Sequence, residues 1–164
     1  MPDSPLCSVR SVWLHEGRPA ELVRCLKYGN ASGVITVLAD AMAACAPEAD
    51  VVTWCPATPR ARRARSFDQS EMLARAIGHR RGIRVRRLLR RERSDRSQTE
   101  RDRAGRLAGP DLTVVGRVGG QPVVLLVDDV STTGTTLTAA AAVLVHAGAR
   151  EVHGLVATHA PPPG

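Results

Sequence analysis

Two adjacent carboxylates, Asp128 and Asp129, are followed directly by a run of small polar residues, Val130-Ser131-Thr132-Thr133-Gly134-Thr135-Thr136. An ionised carboxylate only accepts hydrogen bonds, so a pair of them suits vicinal hydroxyl groups. The same oxygens suit Mg2+, a hard cation that takes oxygen ligands and commonly shares them with phosphates. The residues that follow have the opposite preference. The hydroxyls of Thr132, Thr133, Thr135 and Thr136 and successive backbone N–H groups can wrap a phosphate at the start of a helix. Gly134 lets the backbone approach it closely. Sites for a diol and for a phosphate on one loop describe a ribose 5-phosphate. No lysine follows the glycine, which excludes a P-loop, and the Gly-x-Gly-x-x-Gly spacing of a dinucleotide turn is absent.

A second cluster lies upstream. Arg60, Arg62, Arg63 and Arg65 fall between Pro59 and Gln69, on a stretch read as a loop leading from a strand into a helix. Guanidinium forks match phosphate oxygens, so Arg63 and Arg65 are candidates for holding a phosphate or pyrophosphate. They belong to a wider asymmetry. Residues 57–110 carry seventeen arginines against six acids, whereas the rest of the chain has six basic and ten acidic residues. A cationic middle on a mildly acidic frame suggests a polyanionic partner, either a phosphorylated small molecule or nucleic acid. Lys27 is the only lysine.

The elements that must position these residues are read from hydrophobic spacing. Val123 to Val127 is an uninterrupted, β-branched run that predicts a strand covered on both faces, stopping at Asp128-Asp129. Leu137, Ala140, Ala141, Leu144 and Val145 repeat at helical spacing, with Gly148 as the stop. Val152 to Ala157 predicts another buried strand. Upstream, a strand over Ala49–Trp54, a helix from about Gln69 and an edge strand over Val85–Leu89 are expected. Helical patterns cover about Ala20–Leu26 and Val34–Cys45, joined through Lys27-Tyr28-Gly29-Asn30, and Arg91–Arg106 is nearly all polar. Alternating strands and helices indicate an α/β fold with a mainly parallel sheet.

The chain has 164 residues, enough for one domain with a real core. We expect a single domain over 1–164, with residues 1–47 as N-terminal helices or hood, 48–158 as core and 159–164 as tail. No eighteen-residue apolar run and no secretory leader is readable, so the expected compartment is the cytoplasm. Cys7, Cys25, Cys45 and Cys55 form no Cys-x-x-Cys pair, and the five histidines share no ligand spacing. Zinc, or any metal held by protein ligands alone, is therefore not expected.

Val124 to Thr136 resembles the phosphoribosyl pyrophosphate (PRPP) motif of type I phosphoribosyltransferases, although those proteins usually carry an apolar residue where Ser131 stands. Thr53-Trp54-Cys55-Pro56 followed by Arg65-Ser66-Phe67-Asp68-Gln69 resembles the pyrophosphate-loop region of the ComF family, whose usual ending is Arg-Gly-Phe-Asn-Gln. Leu26-Lys27-Tyr28-Gly29, Arg91 with Gln98-Thr99, and Gly148-Ala149 extend the resemblance over about Glu16 to Thr158. The four-cysteine zinc ribbon of many ComF proteins is not in this sequence.

The resemblance implies a type I phosphoribosyltransferase-like fold: a mainly parallel sheet of about five strands flanked by helices, with a small N-terminal hood. It implies that Asp128 and Asp129 hold the ribose hydroxyls and Mg2+ and serve as the catalytic pair. Ser131, Thr132, Thr133, Gly134, Thr135 and Thr136 would hold the 5-phosphate, and the Arg60–Arg65 stretch the pyrophosphate. Three functions follow as alternatives: phosphoribosyl transfer with release of pyrophosphate, a non-catalytic competence role on single-stranded DNA with other competence proteins, or PRPP sensing without turnover. Trp13 to Asn30 contains no ring-stacking pair, so salvage of a purine or pyrimidine is not expected. Few aromatics are available for stacking DNA bases.

Overall fold

The computed structural model describes residues 4–28, 32–65, 67–91 and 112–160. Five parallel strands form one sheet: β1 (Ser8–Leu14), β2 (Val51–Trp54), β3 (Arg84–Val85), β6 (Val123–Ser131) and β7 (Glu151–His159), in the order β1-β7-β6-β2-β3. Two short strands, β4 (Leu89–Arg91) and β5 (Leu112–Val114), pair antiparallel as a separate ribbon. The helices are α1 (Gly17–Tyr28), α2 (Ser32–Cys45), α3 (Pro59–Arg65), α4 (Gln69–Arg81) and α5 (Thr135–His146). No helix among the described residues is long and apolar enough to cross a membrane.

Burial follows the alternation of the strands. Val52, Trp54, Leu125, Val127, Leu155 and Ala157 point to one face, where Val23 and Leu26 of α1, Leu38 and Met42 of α2, and Leu73 and Ile77 of α4 cover them. Val51, Val124, Leu126, Val152 and Val156 point to the other, beneath Leu137, Ala140, Ala141 and Leu144 of α5 and Leu89 and Leu112 of the ribbon. Val124 to Val127 are wholly inaccessible to solvent, which is why this run carries no polar residue.

Four features depart from the sequence reading. β6 does not stop at Asp128-Asp129 but continues to Ser131, because β7 runs beside it and offers ladder partners as far as His159. The stretch read as an arginine loop is the helix α3. Pro59 opens it, Thr58 Oγ1 accepts from Ala61 N–H at 3.1 Å, and alanine and arginine favour the helix thereafter. The strand expected over Val85–Leu89 is split: β3 pairs with the sheet edge for two residues, and after Arg86 and Arg87 the chain leaves for the ribbon. No pattern marks Ser8–Leu14 as a strand, yet β1 pairs along β7 over most of its length. Only Val12 and Trp13 of β1 pack against the neighbouring core, so main-chain pairing rather than a periodic apolar face defines it. Gly29, Asn30, most of the polar Arg91–Arg106 stretch with Gln98-Thr99, Ser66 and residues 161–164 lie outside the described residues.

Gly78, in the last turn of α4, sits against β3. A methyl group there would meet Val85 Cγ2 and come within 2.9 Å of the Ile83 carbonyl oxygen. Glycine to alanine inside a helix normally stabilises by roughly 0.5–1 kcal/mol. Gly78→Ala is expected to do the reverse and lower the urea midpoint, because backbone cannot step aside as a side chain can. A raised midpoint would refute this close packing.

Candidate functional site

β2 and β6 are neighbours at the centre of the sheet, and the chain leaves them for opposite faces, through α4 and α5. In open parallel sheets the ligand crevice lies at this reversal, beyond the carboxyl ends of the strands. β2 ends at Trp54, opposite Val127, while β6 runs four residues further with a strand on one side only. Asp128 and Asp129 stand on that stretch. Their carboxylates take up neighbouring amides: Asp129 N–H donates to Asp128 Oδ1 and Val130 N–H to Asp129 Oδ1, each at 2.9 Å.

The two acids have different partners. Asp128 accepts from Ser70 Oγ at 2.8 Å, at the first turn of α4. Asp129 Oδ2 lies 3.2 Å from Lys27 Nζ, in the last turn of α1. Protein surrounds the Asp128 carboxyl closely enough that lost hydration, followed by the charge of Asp129, raises it to about 7 against the Ser70 hydrogen bond. Cys55, buried just past β2, belongs to the same cluster. Burial pushes its thiol well up, and Asp128 adds to this through its charge and a hydrogen bond, while Arg91 opposes it.

Asp68 holds this arrangement. At the N-cap of α4 it accepts from Ser70 N–H at 3.1 Å and Glu71 N–H at 3.4 Å, while its other oxygen accepts from Ala57 N–H at 2.8 Å. One side chain thereby ties the turn after β2 to the start of α4 and sets Ser70 against Asp128. Burial raises the Asp68 carboxyl, and the backbone hydrogen bonds counter that rise.

Beyond β6 the connection is only Thr132 to Gly134. Gly134, at φ 74°, is the N-cap of α5, with no side chain capping the helix. Thr135 N–H reaches Thr133 Oγ1 only at 3.5 Å, and this end of α5 carries the positive end of the helix dipole toward an external acceptor. A recess of about 50 Å3 is lined by Asp128, Val130, Ser131, Thr132, Thr133, Gly134, Thr135, Thr136 and Leu137. Thr133 Oγ1 and Thr135 Oγ1 are linked at 2.8 Å across it. Ser131 is buried at the strand end, whereas Thr132, Thr133 and Thr135 are exposed.

A second cavity of about 270 Å3 lies beyond β2, lined by Trp54, Pro56, Ala57, Pro59, Asp68, Glu71 and five arginines: Arg62, Arg63, Arg87, Arg90 and Arg91. Asp68 and Arg91 in its wall both act electrostatically on Cys55, whose thiol also meets Asp128 of the smaller recess.

The structure therefore brings Asp128 and Ser131 to Thr136 into one recess, puts Asp129 beside it on Lys27, and puts Arg63 in the second cavity. Arg60 is exposed and outside both linings, Arg65 closes α3, and the Arg65 side chain lies outside the described residues. Ser70, Arg87 and Arg90 were not singled out for the site from sequence; Arg62 lies within the Arg60–Arg65 stretch expected at the pyrophosphate, and Lys27, Cys55 and Arg91 entered only through the motifs of the resemblance, without a site role. Lys27 also stands out as the sole lysine; the ribbon arginines reach the cavity through a turn of the chain that no local pattern encodes. Asp68→Ala is expected to cost about 1–2 kcal/mol of stability in urea unfolding, and Asp68→Asn, which keeps one acceptor, less than half of that. An unchanged midpoint in the alanine variant would remove Asp68 as the tie between loop and helix.

No family model and no curated protein matches the sequence. Solved structures do. Glutamine phosphoribosylpyrophosphate amidotransferase from B. subtilis, complexed with ADP and GMP, superposes with a TM-score of 0.58 at 27% identity, over 83% of this chain and 30% of that one. The allosteric regulatory enzyme of purine biosynthesis superposes with a TM-score of 0.51 at 28% identity, over 74% of this chain and 25% of that one. This chain thus spans less than a third of either neighbour. The five-stranded parallel sheet with flanking helices is the type I phosphoribosyltransferase fold.

Proposed function

We propose that this protein binds PRPP with Mg2+ at the carboxyl ends of β2 and β6, and that it is a phosphoribosyltransferase-like protein of the ComF type. The observation that carries the reading is the shared end of β6: an acidic pair and an uncapped, threonine-rich helix start meet within a few residues. The likeness to a PRPP amidotransferase supports the same ligand. The 5-phosphate accepts hydrogen bonds from the amides and hydroxyls of residues 131–136, and the Asp128–Asp129 pair accepts from the ribose hydroxyls. Arg63, with Arg62 and the ribbon arginines, faces the pyrophosphate.

The donor set suits Mg2+. Asp128 and Asp129 supply adjacent hard carboxylate oxygens at the end of β6. Asp128 and Asp129 would be the residues to hold the cation. Bound there, Mg2+ supplies charge neutralisation of the leaving pyrophosphate. For a transfer, the C1–O bond to pyrophosphate breaks and a bond from an acceptor nucleophile, typically nitrogen, forms at C1. The chain's own part is to fix the sugar by both ends and to stabilise the departing anion with guanidinium groups. A cytoplasmic setting keeps its four free thiols reduced.

PRPP with Mg2+ at a hundred times its dissociation constant is expected to raise the melting temperature by about 5 °C or more. Asp129→Ala should abolish the shift, and ribose 5-phosphate or pyrophosphate alone should give smaller ones. No shift at millimolar PRPP would overturn the proposal. Pyrophosphate release on addition of an amine or base distinguishes turnover from sensing.

The five-arginine cavity favours a second reading, an accessory role on single-stranded DNA. Binding through phosphates makes the affinity fall steeply with salt, with a slope of roughly −0.7 per contact on single strands. Neutralising Arg87, Arg90 and Arg91 together should flatten that slope; an unchanged slope and affinity would dismiss this cavity as the DNA site.

A further inference from the structure

Lys27 is the only lysine in a chain with twenty-two arginines. Positive charge is supplied as guanidinium everywhere else, and the one ammonium lies 3.2 Å from Asp129 Oδ2. The side chains of Lys27 and Asp129 are 25% and 15% exposed, so the contact is neither a fully solvated surface pair nor sealed in the core. The helix delivering it is fixed, since Val23 and Leu26 of α1 are buried in the core beneath the sheet. A guanidinium here would grip the carboxylate with a rigid two-pronged fork, whereas an ammonium is a compact point charge on a flexible stem. Lysine can hold Asp129 and also let it go. No other acid among the described residues stands within ion-pair distance of Lys27.

We infer that Lys27 is a positioning residue, the resident counter-ion of Asp129, which keeps a divalent cation from settling on the acidic pair alone and yields when the cation arrives with an anionic sugar phosphate. A bare cation must displace the ammonium and leave it unpartnered. A cation accompanied by pyrophosphate brings new anionic oxygens, so both positive charges are matched after the exchange. No covalent bond changes; the step is a switch of electrostatic partners. The second half, release by a sugar phosphate, rests on the function proposed above, while the first half stands on the ion pair alone.

The test uses the whole chain and Mn2+ as the probe, with free Mn2+ read by electron paramagnetic resonance and no sugar phosphate present. Lys27→Met is expected to bind Mn2+ about tenfold more tightly than the parent, the scale of losing one partly screened charge contact. Adding Asp129→Asn should erase the gain, and Lys27→Arg should restore the weak binding. Lys27→Gln serves as a second neutral variant if the methionine variant melts early. Equal Mn2+ affinity in a folded neutral variant and the parent overturns the inference. In a separate arm, Lys27→Arg should bind PRPP with Mg2+ more weakly than the parent in thermal-shift titrations; equal binding overturns the release half. Failure of the parent itself to respond to PRPP counts against the proposed ligand, and leaves the Mn2+ arm to decide the role of Lys27.

Discussion

β6 outruns β2. That difference of four residues is the constraint from which the site follows. Up to Val127 the strand is paired on both sides and buried on both faces, and only apolar residues fit. Beyond it, one side of the ladder has no strand, and the backbone amides need other acceptors. Two aspartates take up two of these amides with their carboxylates, and in doing so are held at the carboxyl end of the sheet. The same residues thus close the strand and open the site.

Electrostatics then divide the crevice. The acidic pair is crowded, and its environment works to supply positive charge or protons: Lys27 on Asp129, the Ser70 hydroxyl and the Cys55 thiol on Asp128. On one flank lies the uncapped start of α5, whose partial positive charge comes from backbone. The cavity beyond β2 gathers five guanidinium groups. Asp68 maintains the spacing, because its two oxygens bind the β2 turn and the α4 start together.

Much of this was legible in the chain. The buried run Val123–Val127, the helical spacing after Gly134 and the acidic pair between them give the central strand, α5 and the recess at their junction, because these features depend on neighbours within a few residues. The strand's true end was not legible. Asp128 to Ser131 look like a loop in isolation, and only pairing with β7, which lies after α5 in the chain, makes them strand. β1 was missed for the same reason, since its partner is more than a hundred residues away. The arginine stretch was read as a loop although Thr58-Pro59 is a helix-start signal, and local rules sufficed to find α3.

What the sequence determined by itself is therefore the α/β class, the central strand and the acidic and threonine-rich residues at its end, since apolar periodicity and side-chain type act locally. Tertiary structure decided which groups meet that chemistry. Lys27, Ser70, Cys55 and the ribbon arginines come from four separate segments, and nothing in their local patterns encodes a distance to Asp128 or Asp129. Sheet order sets those distances: with β2 beside β6 and the chain departing from them to opposite faces, segments remote in sequence must converge at one edge.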